Sequence, residues 1–407
     1  MNIRRSLHLS RRQVIRGILA TTAFGVTAKL GTGCSPATES QVSSGEQGKP
    51  ATETQASSGE QGKPIIMGFI YVGPKDDYGY NQAHAEGKEG VSKLSWMKTV
   101  EEASIPETTA VEETMRNMIE EDGATVLFPT SFGYFDPHIL KLASLYPEVQ
   151  FFHCGGRYEE GVHPKNVGSY FGYIDEAQYV AGIVAAHTSK TGKLGFIAAK
   201  PIPQVLRNIN SFTLGARSVK PELTTKVIFT GDWAVPVKEA EATNSMADQG
   251  IDVLTSHVDS PKVVMETAER RGIFSIGYHA NQATLAPKGY LTGAEWDWTK
   301  VYSDYAEMIH TGKTLMNGGI PHVVRGGLKQ GFLKLSPYGS VVSAEAKKDA
   351  DAAAAKFRDG SMIVYKGGLK DNTGKVVIPA DKDYLQEDGE LEKMNWLAEG
   401  VIGSVSS

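Results

Sequence analysis

The chain has 407 residues, too many for a single core of ordinary size, so its folded body is expected to hold two. Its 42 basic and 47 acidic residues give a formal charge of −5 with no basic patch. That excludes a nucleic-acid surface and the capture of an anionic substrate by field alone.

The first 33 residues read as an export address. Arg4, Arg5, Arg11, Arg12 and Arg16 precede a mildly apolar stretch, 17–33, and no acidic residue comes before Cys34. Such a run is too short to span a bilayer comfortably. Ser10-Arg11-Arg12-Gln13-Val14-Ile15-Arg16 looks like a twin-arginine export signal. Leu30-Gly31-Thr32-Gly33-Cys34 resembles the cleavage site of bacterial lipoproteins, in which the cysteine is acylated and becomes the first mature residue. The leucine stands four positions before Cys34 where three is usual, so an ordinary cleavage site is the alternative. Loss of the six basic residues before Cys34 takes the formal charge from −5 to −11. A disulfide from Cys34 to Cys154 would tie a flexible tail to a core strand, so Cys154 reads as a buried free thiol.

Residues 34–64 read as a tether. The segment 37–50 returns almost unchanged as 51–64, rich in Ser, Gly, Gln and Glu, and buries too little apolar surface to fold. Its root-mean-square reach is on the order of 30 Å.

From Ile65 onward, short apolar runs alternate with helical patterns. Strands are expected at 65–72, 98–102, 125–128 and 149–154, with helices at 83–94, 111–121 and 137–145 between them. A second series begins after Tyr173. Its helices are expected at 177–187, 205–219, 237–249 and up to Arg271, and its strands at 194–199, 226–230, 253–258 and 274–278. Short apolar strands separated by helices predict parallel sheets covered on both faces. Two such series in tandem predict an α/β protein of two doubly wound parallel-sheet lobes joined by a hinge. A ligand then sits between the lobes, outside the carboxyl ends of the strands.

That rule selects candidates at the strand ends. Tyr80 and Asn81 follow the first strand, and Phe132 and Asp136 follow the third. The second lobe offers Asn208, Asn210, Trp233, His257, Asp259, Tyr278, Asn281, Glu295 and Trp296. Aromatic rings beside a few carboxylates and amides suit a flat ligand with polar edges, held by stacking and oriented by hydrogen bonds. Each position has a plainer reading too: a strand-end ring often only packs, and Asp136 or Asp175 can serve as a helix cap.

Four stretches carry a resemblance: 71–80, 208–217, Thr230-Gly-Asp-Trp233 with Pro236, Lys238 and Glu239, and 292–298. With them the body, from Ile65 to roughly Met362, resembles the basic-membrane-protein family of substrate-binding lipoproteins, known for purine nucleosides and bases. The resemblance implies a periplasmic-binding-protein type I pair of lobes with crossovers near Tyr173, Glu295 and Gly326. It implies a first lobe of 65–174 plus about 295–325 and a second of 175–294 plus about 326–362, with 363–407 as an extension packed on the lobes. It also implies capture of a purine base or nucleoside and delivery to ABC permease subunits. By motif position Tyr80 should stack on the base, and Asn81, Phe132, Asn210, Trp233, Asp259 and Trp296 fall on or beside other lining positions. Gly277-Tyr278-His279-Ala280-Asn281 departs from the family's usual Gly-Tyr-Asp-x-Asp at His279 and Asn281, which can donate as well as accept hydrogen bonds, so the implied ligand there widens from a nucleoside to a base or another small molecule.

Catalysis is the rival class. The chain has no nucleophile elbow, His-Glu-x-x-His, Walker loop or helix-opening Gly-x-Gly-x-x-Gly. Its ten histidines lack ligand spacing, so no metal or cofactor is expected. The expectation is a monomeric, membrane-anchored binding protein with no nucleic-acid partner. A sensor presenting its ligand to a membrane receptor is one alternative, and a nucleoside-processing hydrolase is the other.

Overall fold

A computed structural model describes residues 65–405. The signal, Cys34 and the repeated tether lie outside them. The first series runs β1 (Ile65–Ile70), α1 (Tyr80–Val91), β2 (Met97–Glu102), α2 (Ala110–Glu120), β3 (Val126–Pro129), α3 (Leu140–Leu145), β4 (Gln150–Cys154) and β5 (Val167–Gly172). The second runs α4 (Asp175–Thr188), β6 (Lys193–Ala198), α5 (Pro203–Val219), β7 (Thr224–Phe229), α6 (Pro236–Asp248), β8 (Val253–His257), α7 (Lys262–Arg271), β9 (Phe274–His279) and β10 (Tyr290–Trp296). The chain then adds α8 (Trp298–His310), β11 (Val323–Gly326), β12 (Leu333–Leu335), α9 (Ala344–Asp359) and β13 (Val401–Ile402).

The strands form two sheets. The first has the order β11-β5-β4-β3-β1-β2, every neighbouring pair parallel. The second has the order β12-β10-β9-β8-β6-β7-β13, with β12 alone antiparallel. Every residue of β3 and β4 is buried, as helices on both faces require. The helices follow their apolar spacing: α2 buries Val111, Met115 and Met118, one face of a 3.6-residue period. In α9, Ser343 caps the start by accepting from Ala346 N at 3.1 Å, and Gly360 ends it in the left-handed region. Helices α4 and α5 touch backbone to backbone: a Cβ on Gly182 would stand 2.1 Å from Phe212 O, and one on Gly215 2.0 Å from Tyr179 O.

Helix α8 returns to the first lobe and fills its core with rings. Tyr302 packs edge-on against Phe69 at 4.9 Å between centroids, and Phe69 stacks on Phe128 at 5.0 Å. Full burial of each such side chain is worth about 1.5–3 kcal/mol.

The chain passes between the sheets three times, at Tyr173, at Asp297 and at 327–332. These crossovers bond to one another: Tyr173 N donates to Gly326 O and Asp297 N to Phe332 O, both at 2.8 Å. The hinge is therefore a hydrogen-bonded bundle. It holds the carboxyl ends of both sets of parallel strands around a common cleft. Among the described residues no helix is long and apolar enough to cross a membrane.

Candidate functional site

The loop after β1 sets the front of the cleft. Asp77 holds the start of α1: its Oδ1 accepts from Gly79 N (2.8 Å) and Gln82 N (2.9 Å), its Oδ2 from Asn81 N (3.0 Å) and Asn81 Nδ2 (2.7 Å). This cap fixes Tyr80, whose hydroxyl donates to Thr130 O at 2.5 Å. The loop also meets the second lobe. Tyr80 N donates to Asp259 O (2.8 Å), Ser260 Oγ to Asp77 O (2.7 Å), and Gln282 Nε2 to Tyr78 O (2.5 Å). The lobes are thus latched together by three hydrogen bonds. Residue 79 has to be glycine for this approach, because a Cβ there would lie 2.0 Å from Asp259 O.

Behind the latch lies a narrow inner chamber of about 30 Å³, walled by Tyr80, Phe132, Cys154, Phe171, Trp233, His257, Asp259, Tyr278, His279 and Trp296 among others. Its rings are fixed by one another. Trp296 Nε1 donates to His279 Nδ1 at 2.8 Å, and Tyr80 stands edge-on to His279 with centroids 5.3 Å apart. That contact and burial hold His279 at φ +73°, a strained backbone for a bulky residue. Asn208 Nδ2 lies 2.8 Å from His257 Nδ1 and donates to Tyr278 Oη at 2.8 Å. Lys200 Nζ sits 5.2 Å above the Trp233 ring.

The chamber's electrostatics follow from burial. His153 is pushed down to about 4 and His257 to about 3, with His84 and His279 also well below the usual histidine range, so all four are neutral at neutral pH. His153 Nε2 donates to Ser131 O at 2.7 Å. Burial, with the Asp77 and Glu107 charges adding to it, lifts the Asp259 carboxyl well above its usual range. The Asp259 side chain makes no hydrogen bond among the described residues, so it is the free acceptor of the chamber. No group of residues suited to a metal ion occurs among the described residues.

A larger outer chamber of about 490 Å³ opens from the inner one and shares Phe132, Phe171 and Gln204 with it. Its polar walls include Asp136, Arg157, Asp175, Arg207, Asn208, Arg325 and Glu392. Arg207 Nη2 reaches Asp175 Oδ1 at 3.2 Å and Gln386 Oε1 at 2.6 Å, and Arg325 Nε reaches Glu392 Oε1 at 3.3 Å.

Of the residues expected from sequence, Tyr80, Phe132, Trp233, Asp259, Tyr278 and Trp296 come together around the inner chamber. Three do not. Asn81 is buried behind the capping loop, where its Oδ1 accepts from Gly73 N at 3.1 Å. Asn210 turns to the C-terminal segment, accepting from Ala398 N at 2.7 Å and donating to Trp396 O at 3.0 Å. Asn281 is exposed in the turn after β9 and accepts from Ala283 N at 2.9 Å. Sequence reasoning missed Cys154, Phe171 and Gln204 in the inner wall and most of the outer chamber. The strand-end rule, applied at β4, would have found Cys154 and Gly155-Gly156-Arg157. Glu392 has no such signal.

The model of a family described as ABC transporter substrate-binding proteins, PnrA-like, matches residues 65–366. The chain belongs to this Bmp family. It is a substrate-binding protein of the ABC-transporter type, which places it among binding proteins rather than enzymes. A purine-binding protein of Brucella abortus is 33% identical to this Bmp protein over 337 residues, 82% of the chain and 92% of the relative. A Haloferax volcanii protein named for ABC-transporter glucose binding is 31% identical over 341 residues, 83% of the chain and 81% of the relative. Among solved structures, an ABC-transporter solute-binding protein of Conexibacter woesei matches with a TM-score of 0.59 at 20% identity, covering 73% of this chain and 97% of that one. One from Aeropyrum pernix matches equally, with a TM-score of 0.59 at 20% identity over 76% and 93%. The Bmp protein thus has the two-lobed periplasmic-binding-protein type I architecture.

Proposed function

We propose that this Bmp protein captures a purine, as base or nucleoside, in the interlobe cleft and presents it to the permease of an ABC importer outside the cytoplasm. The observation that carries the reading is a free carboxylate, Asp259, in a chamber whose other walls are mostly rings. An ionised carboxylate only accepts hydrogen bonds, and a protonated one also donates, so Asp259 fits the N–H and ring-nitrogen edge of a purine. Tyr80 and Trp233 supply faces for stacking, worth about 1–3 kcal/mol per base. The Brucella relative, named for purine binding, supports the same ligand class.

Binding in this reading needs the lobes to part. The inner chamber holds about 30 Å³, about one water's share of liquid volume. The outer chamber of about 490 Å³ already lies in the usual range for small-molecule sites. The ligand enters when the latch opens, lodges across the boundary shared by Phe132, Phe171 and Gln204, and the latch then closes on it. Cys34 is proposed as the acylated first residue of the mature chain, with residues 34–64 as its tether.

Isothermal titration of the protein with adenine, adenosine, guanosine and glucose tests the reading. Saturable binding of a purine is expected, weakened about tenfold to a hundredfold by Asp259→Asn. Binding of glucose with no heat from any purine would refute it. Membrane fractionation of wild type and Cys34→Ser tests the anchor: release of the variant is expected, and a wild type already soluble removes the anchor.

A further inference from the structure

The family match ends at residue 366, yet the outer chamber is completed by a residue beyond it, Glu392. The segment that follows α9 lies on the second lobe and is firmly held there. It buries Tyr365, Ile378, Leu391, Met394, Leu397 and Val401, adds β13 to the edge of the second sheet, and is clamped by Asn210. From this base it reaches two arginines of the cleft. Gln386 meets Arg207 on α5 of the second lobe, and Glu392 meets Arg325 on β11 of the first.

The charge count of the outer chamber shows what this contact does. Three arginines line it, Arg157, Arg207 and Arg325, and three carboxylates, Asp136, Asp175 and Glu392. Asp175 offsets Arg207 and Glu392 offsets Arg325, while Arg157 makes no ion pair or hydrogen bond among the described residues. Without Glu392 the chamber's two guanidinium groups lacking a carboxylate partner, Arg157 and Arg325, would outnumber its one remaining unpaired carboxylate, Asp136. Arg325, whose Nη atoms stay bonded to Ser169, Val324 O and Gly156 O, would offer its Nε to an oxygen of a phosphate, and Arg157 its whole fork. With it, an incoming phosphate meets a carboxylate instead.

We propose that Glu392 is a specificity-determining residue: the C-terminal segment places its carboxylate on Arg325 so that the cleft rejects phosphorylated forms of its ligand and admits uncharged ones. The inference rests on the purine reading and extends it to the outer chamber. It is discrimination by an unfavourable contact with the wrong ligand, with no attractive contact to the right one required. Arg325 is a positioning residue here, since its Nε holds the Glu392 carboxylate at 3.3 Å.

The test is the ratio of affinities for adenosine and adenosine 5′-monophosphate, measured by calorimetry on the full chain. Glu392→Gln keeps the shape and removes the charge, and its ratio should move toward the monophosphate by about tenfold or more, given the strength of a nearby unit charge at a partly shielded site. Adding Arg325→Gln to Glu392→Gln should reverse most of that gain. Glu392→Ala serves as a second charge-removing variant, and Glu392 is partly exposed, with 34% of its side chain accessible, so the fold should tolerate either change. An unchanged ratio in both single variants, with adenosine still bound by the wild type, overturns this inference and leaves the purine reading intact. Wild type that binds no purine at all overturns the purine reading and this inference with it.

Discussion

At the latch end of the cleft the hydrogen bonds between the lobes come from uncharged groups, a backbone N–H, a serine hydroxyl and a glutamine amide, each donating to a backbone carbonyl across the gap, with the Lys262 ammonium 5.3 Å above the Tyr78 ring beside them. At the hinge end, three chain crossings are stitched to one another and flanked by the buried ion pair of Asp175 with Arg207, the buried carboxyl of Glu176 accepting from Leu328 N, and the part-buried pair of Arg325 with Glu392. The difference assigns the two ends different work. Hydrogen bonds between groups that water can satisfy equally well are each worth only about 0.5–1.5 kcal/mol net, so the latch can open and reclose. Separating the buried Asp175–Arg207 pair would cost several times more, so in the proposed opening of the lobes the hinge end keeps its arrangement.

The largest effect that would sharpen this contrast is expected at Glu176. Burial, with the Asp175 charge adding to it, raises its carboxyl to about 8 from the ordinary 4.5. It is therefore protonated in the folded protein and ionised in the unfolded chain between those values. Stability should fall as pH rises through that window, by up to about 1.4 kcal/mol per pH unit, and level off above pH 8. In Glu176→Gln that slope disappears, while its side-chain carbonyl still accepts from Leu328 N. Melting curves between pH 5 and pH 9 check this, and parallel curves for the two proteins would break the account of the hinge end.

At the latch, Gly79→Ala places a methyl group against Asp259 O and should hold the lobes apart. If closure becomes a hundredfold less populated, affinity falls by about the same factor. Calorimetry reads the loss, and small-angle scattering reads a larger radius. A variant with normal affinity would show that the latch is not part of binding.

Asn210→Ala should cost stability but leave selectivity in the inner chamber alone, since Asn210 bonds only the C-terminal segment. Loss of its bonds to Trp396 O and Ala398 N predicts about 1–3 kcal/mol of destabilisation and faster proteolysis after residue 366. The smallest effect concerns Lys200, whose charge lies over Trp233 and pairs with Asp232 at 2.9 Å. Lys200→Ala should shift ligand affinity by only about 0.5–1 kcal/mol, readable as a change in tryptophan fluorescence on titration.

Much of the latch and inner chamber was legible in the sequence, and little of the hinge end was. Apolar runs bounded by turns gave the alternation of strands and helices, and the rule that ligands sit at strand ends selected Tyr80, Trp233, Asp259 and Trp296. Helical phase explains one miss. Residues two apart on a helix point about 200° apart, so of Asn208 and Asn210 only one can face the cleft, and it is Asn208. Strand β5 reads Val-Gly-Ser-Tyr-Phe-Gly, too dilute in apolar residues to stand out, although it is buried within its sheet. The C-terminal segment has almost no periodicity to read, because it is held by side-chain clamps and a two-residue strand. Arg325 and Glu392 meet only after the chain has folded.

The most direct test of the central claim is a crystal structure of the protein grown with adenosine. The expected result is ligand density at the boundary of the two chambers, with the base ring against Tyr80 or Trp233 and within hydrogen-bond distance of the Asp259 carboxylate. Density confined to a site outside the cleft, with the inner chamber unchanged and Asp259 still unpartnered, would contradict it.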